Sequence, residues 1–155
     1  MRVRHLVGEV KTIRSDTGWK YDDIPPRHSG VYPKSKPLRR PWQWRSVVAG
    51  SEQREYIFLT QVNPDFDNWK AWLVAPGEPL GSIVCRFEYH GSHPGFHAHA
   101  HCERGGLEVG PTSINDLVRV PKAQKGAAIV ALSPDRFWEQ ARRRFRINFP
   151  AGQLF

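Results

Sequence analysis

Long apolar runs are missing from this chain, and cysteines and acids are few. No segment approaches the roughly 20 apolar residues that a membrane-spanning helix needs. The opening stretch, MRVRHLVGEVKTIR, holds no apolar run resembling a signal peptide. The expectation is a cytoplasmic protein with no membrane partner. There are only two cysteines, Cys85 and Cys102, and that compartment would keep both reduced. Both read as small core residues, with a cross-strand disulfide or a pair of thiolate ligands as the alternatives. Fifteen Asp and Glu stand against 23 Lys and Arg, leaving a formal charge of +8. An excess of that sign suits an anionic partner. No internal repeat and no second domain can be found, so residues 1–155 read as a single domain.

Hydrophobic residues make up 39% of the chain and aromatics 12%, enough for a true core. Thirteen prolines and thirteen glycines predict many turns rather than a helical bundle. Five of the seven histidines fall within residues 83–103, IVCRFEYHGSHPGFHAHAHCE. Ile83, Cys85, Phe87 and Tyr89 alternate with Val84, Arg86, Glu88 and His90. After Gly91-Ser92-His93-Pro94-Gly95, which is turn chemistry, Phe96, Ala98, Ala100 and Cys102 alternate with His97, His99, His101 and Glu103. Period-two alternation on both sides of a turn predicts a β-hairpin over about 82–103. A one-residue slip would flip every side chain, so the apolar sets must share a face. Arg86, Glu88, His90, His97, His99, His101 and Glu103 then gather on the other.

Elsewhere the pattern predicts strands at Val3–Ile13 (broken by Gly8), Arg54–Val62, Lys70–Ala75 and Gly126–Leu132. Asn63–Asn68 reads as a turn, and residues 14–45 as mostly irregular. Thr112–Val118 reads as a short helix capped by Thr112 or Ser113. Ser133 can cap a helix in which Pro134 suits the first turn and Asp135 complements the dipole. Phe137, Trp138, Ala141 and Phe145 then recur on one face, which predicts an amphipathic helix over about 134–147. The expected class is α+β, mainly antiparallel sheet with the His-rich hairpin and this C-terminal helix.

The positive charge is concentrated in two places. Residues 27–45 hold six Lys or Arg and no acid, and residues 136–155 hold five Arg and one acid. In the first patch Trp42 and Trp44 interleave with Lys34, Lys36, Arg39, Arg40 and Arg45. Cations suit phosphates and aromatic rings suit unstacked bases, so RNA or single-stranded DNA is the expected partner. The same tryptophans could instead turn inward to the core. In the second patch Arg142, Arg143 and Arg146 could grip a backbone or simply be solvated.

Same-face neighbours on a strand are about 6.6 Å apart, so His97 and His99 can converge on one ion while His101 sits too far along. A third ligand then comes from the partner strand, as His90 or Glu88. Two or three histidines with a carboxylate, Glu103 included, suit an open catalytic Zn, Mn or Fe site. Without metal, His90 and His101 could act as general acid and base, with Glu88 orienting an imidazole and Arg86 clamping phosphate. No organic cofactor is indicated. Gly91, His97, His99, Glu103 and Gly110 also have a spacing that resembles the first metal-binding motif of cupins, over about twenty residues. That resemblance implies His97, His99 and Glu103 as ligands in a β-barrel.

The expected function is a small basic hydrolase acting on nucleic acid, a nuclease with metal assistance. The alternative is a non-catalytic nucleic-acid or protein-binding module whose histidines hold a structural metal or sense pH. A cupin-like metalloenzyme on a small molecule is the third reading.

Overall fold

The computed structural model describes residues 2–90, 93–100, 112–113 and 132–152. In chain order they form helix α1 (Arg2–Gly8), strand β1 (Lys11–Asp16), the single-turn helix α2 (Pro26–Ser29), β2 (Gln43–Gly50) and β3 (Glu55–Asn63). A 3-10 turn at Pro64–Phe66 leads to β4 (Asn68–Ala75), β5 (Ser82–His90), β6 (His93–Ala100), β7 (Thr112–Ser113), helix α3 (Pro134–Arg144) and β8 (Ile147–Asn148). The strands make one sheet in the order β7-β6-β5-β4-β3-β2-β1-β8. Pairing is antiparallel except between β1 and β8, which run parallel. The class is α+β, mainly antiparallel. Among the described residues no helix is long and apolar enough to cross a membrane.

Alternation along the strands gives the sheet two differently dressed faces. On one, α1 and α3 cover Val47, Phe58, Leu73 and Phe87, burying Leu6, Val7, Phe137, Trp138 and Ala141 with them. On the other, residues 17–41 cross over Trp44, Ile57, Leu59 and Val74, with Ile24 fully buried between. That second cover reaches the middle of the sheet, and the polar surface of β5 and β6 lies on the same side. Ser133 caps α3 by accepting from the Arg136 backbone N–H at 3.2 Å, and Pro134 opens its first turn.

Several sequence expectations are corrected here. Residues 2–8 are helix rather than strand: Leu6 and Val7, neighbours in sequence, are both buried in one core, which a strand's alternation would forbid. The register shifts between Leu73 and Val74, which pair with Cys85 and Ile83. Val84 therefore joins Cys85 in the helix-side core, while Ile83 packs on the opposite cluster. Helix α3 stops at Arg144, because Arg146 takes a left-handed conformation (φ 54°) and its carbonyl accepts from Lys11 N–H at 2.9 Å. Ile147 and Asn148 thereby become a strand beside β1. Thr112 and Ser113 pair with β6 instead of capping a helix. The expected strand at 126–132 lies, but for Leu132, outside the described residues.

Candidate functional site

Residues paired directly across neighbouring strands put their side chains on the same face. Register alone therefore writes a lattice over the second face of the sheet. One row runs Trp44, Gln61, Lys70, Glu88, His97 across β2 to β6, and the next runs Ser46, Leu59, Trp72, Arg86, His99. Asn68 stands opposite His90 in the row on the other side. The parity expected of the hairpin holds from Cys85 onward, with Cys85, Phe87, Tyr89, Phe96 and Ala98 on the core side, and fails at Ile83 and Val84, which the register shift exchanges.

Glu88 is the hub. It is 6% exposed, and its carboxylate can only accept, so the His97 Nε2–H donates to Oε1 at 2.8 Å. His99 Nε2 lies 3.6 Å from the same oxygen. Arg86 Nε lies 3.1 Å from Oε2, at ion-pair distance but off the direction of a hydrogen bond. The His97 ring stands nearly perpendicular to its two neighbours, with centroids 4.8 Å from His90 and 5.2 Å from His99. Burial, and then the Arg86 charge, hold His99 below the usual imidazole range.

Glu88, His90 and His97 each offer a ligand atom, and these atoms lie within 4.8 Å of one another. Tetrahedral zinc with bonds near 2.0 Å needs ligand atoms about 3.3 Å apart. Small side-chain rotations would draw the three in, with His97 giving up the proton it shares with Glu88. The group can thus hold a metal ion. The partner strand supplies ligands as strand spacing led one to expect, here both His90 and Glu88, but His99, expected to converge with His97, is not in the group. His101, Cys102 and Glu103 lie outside the described residues. His5 and His28 are engaged elsewhere, His5 with Glu9 at 3.2 Å and His28 against the Trp44 ring.

The first basic patch lies on the histidine side of the sheet. Lys34, Lys36, Arg39 and Arg40 are exposed, and Trp42 is half-buried. Trp44 belongs to the core instead: it is buried and its Nε1–H donates to the Asp22 carbonyl at 2.8 Å. Arg45 points to the helix side, where it pairs with Asp16 at 2.6 Å and lies 3.7 Å from the centre of the Trp138 ring. Helix α3 lies on that side too, so its arginines are not brought to the histidine surface. Arg142 is buried, pairs with Glu139 at 2.6 Å and donates to the Ile147 carbonyl. Arg143 and Arg146 are exposed.

Sequence reasoning missed four residues that register brings to the site: Gln61, Asn68, Lys70 and Trp72. Polar or charged residues within otherwise apolar strands were the available signal. The Tyr32 ring meets Trp72 edge-on at 6.1 Å, and the Lys70 ammonium lies 6.0 Å from the Trp42 ring.

No protein-family model, curated protein or solved structure matches this chain. The cupin-like spacing gains no support from those comparisons, and Glu103 and Gly110 lie outside the described residues.

Proposed function

We propose that this protein is a metal-assisted hydrolase of phosphodiesters in single-stranded nucleic acid, acting in the cytoplasm. One observation carries the reading. A two-histidine, one-carboxylate group, Glu88, His90 and His97, shares a sheet face with the aromatic and basic stretch from Tyr32 to Trp42. That donor set suits Zn, Mn or Fe, and an ion there would acidify bound water and polarise a phosphoryl oxygen. Glu88, in turning to the ion, would free Arg86 to grip a phosphate. Lys34, Lys36, Arg39 and Arg40 would hold the backbone further out.

Elemental analysis of wild type beside His97→Ala/His99→Ala, with cleavage assays on RNA and on single- and double-stranded DNA with and without chelator, tests it. Stoichiometric metal and chelator-sensitive cleavage in the wild type alone are expected. Undiminished cleavage by the double variant would end the idea.

A second reading has its own support. Both Glu88 oxygens already face protein cations or donors, so the cluster balances its charge unaided. The histidine face would then belong to a non-catalytic binding module, which expects salt-sensitive binding without turnover.

A further inference from the structure

We infer that Lys70 and Trp42 form a nucleotide-holding subsite beside the Glu88 group, the ammonium taking a phosphate and the indole an unstacked base. The inference deepens the proposed function and rests on it for the class of ligand, single-stranded nucleic acid. Lys70 pairs in register with Glu88, and directly opposed residues hold their Cβ atoms about 5 Å apart. A lysine side chain based there reaches whatever the Glu88 group binds.

The neighbouring cation on this face is committed: Arg86 is at ion-pair distance from Glu88. Lys70 has no ion pair among the described residues, and its ordinary partner across the strand, Glu88, is already held by His97 and Arg86. Among the described residues its cation–π contact is with Trp42, at the outer limit for such a contact. Both side chains are half-exposed, so a ligand can slip between or alongside them.

A third residue strengthens the assignment. Gln61 stands next to Lys70 in the same row and is 6% exposed, yet its Nε2 has no hydrogen-bond partner among the described residues. An amide donor left unmatched beside an unpaired cation and an indole makes a polar, aromatic setting of the kind that takes nucleotides.

The test is equilibrium binding of a fluorescent single-stranded RNA octamer, in chelator so that turnover is silent, across a salt series. Lys70→Gln should weaken binding and lower the slope of log affinity against log salt by about 0.7, the value of one phosphate contact on a single strand. Lys70→Arg should restore the slope. Trp42→Ala should weaken binding about tenfold and leave the slope unchanged, since stacking carries no charge. Trp42→Phe, which keeps a ring and the fold, should recover part of that loss.

Wild-type affinity and slope in both Lys70→Gln and Trp42→Ala would overturn the subsite. So would a wild-type protein that does not bind the octamer. Binding lost as predicted, with no cleavage by wild type under any metal, would support the subsite and overturn the hydrolase reading alone.

Discussion

Glu88 and His97 face each other across β5 and β6, and the His97 Nε2–H donates to Glu88 Oε1 at 2.8 Å. The bond joins two of the three residues that the site offers to a metal. It also ties the centre to the protein's own ion pairs, because Glu88 answers Arg86 through its other oxygen.

Replacing Glu88 with Gln keeps the shape and removes the charge. The variant should lose zinc and manganese binding by calorimetric titration. Added metal should raise the thermal midpoint of the wild type and leave that of the variant unmoved. In metal-free buffer the variant should be about 1–2 kcal/mol less stable, because a partly buried guanidinium loses its anion. Equal metal-induced shifts in both proteins would remove Glu88 from the centre.

Lys11 acts as a clamp between the two ends of the chain. Fully buried, its ammonium donates to the carbonyls of Val7 (3.3 Å), Glu9 (2.8 Å) and Phe145 (2.9 Å). It thus joins the end of α1 to the residue after α3. Lys11→Met should cost about 2–3 kcal/mol by stranding those carbonyls. In urea unfolding the midpoint should drop with no change in slope. A variant as stable as wild type would show that water can replace the ammonium.

Alkaline pH should expose the burial of Cys85. Burial pushes its thiol up to about 12 from an ordinary value of 9.0. Above pH 9 the unfolded chain releases a proton that the folded chain keeps, so stability falls as pH rises from about 9 to about 12. The slope approaches about 1.4 kcal/mol per pH unit. Cys85→Ala removes that contribution alone. Chemical denaturation at pH 8, 9, 10 and 11 should give a shallower alkaline decline for the variant. Parallel curves would mean that the thiol is not what is held neutral.

Ser133→Ala removes the side-chain acceptor that meets the Arg136 N–H. The expected loss is about 1 kcal/mol, and Ser133→Asp should recover it, since either oxygen can cap. Thermal unfolding followed at 222 nm checks the pair. No difference between Ala and Asp would indicate that tertiary contacts alone hold the start of α3.

Much of the site was legible because a strand's period is local. Alternation from Arg86 to His90 and from Phe96 to His99 places Glu88, His90, His97 and His99 on one face without reference to the rest of the chain. The start of α3 was legible for the same reason: Ser133, Pro134 and Asp135 act on the backbone within one turn. The Ile83–Val84 exchange was not legible, since it follows from a register shift against Leu73 and Val74 on another strand. The N-terminal helix was missed because seven residues, Arg2–Gly8, carry too little periodic pattern to separate helix from strand.

What the amino-acid sequence determines by itself, then, is the histidine face, the helix that begins at Ser133 and the concentration of positive charge in two segments. Only the tertiary structure decides which charges and rings remain available. Trp44 goes to the core, Arg45 to Asp16 and Trp138, and α3 to the far side of the sheet. Lys70, unremarkable along the chain, arrives opposite Glu88. The reason is the range of the interactions: side-chain alternation and caps act within a few residues, whereas strand register and ion-pair partners join residues far apart in the sequence.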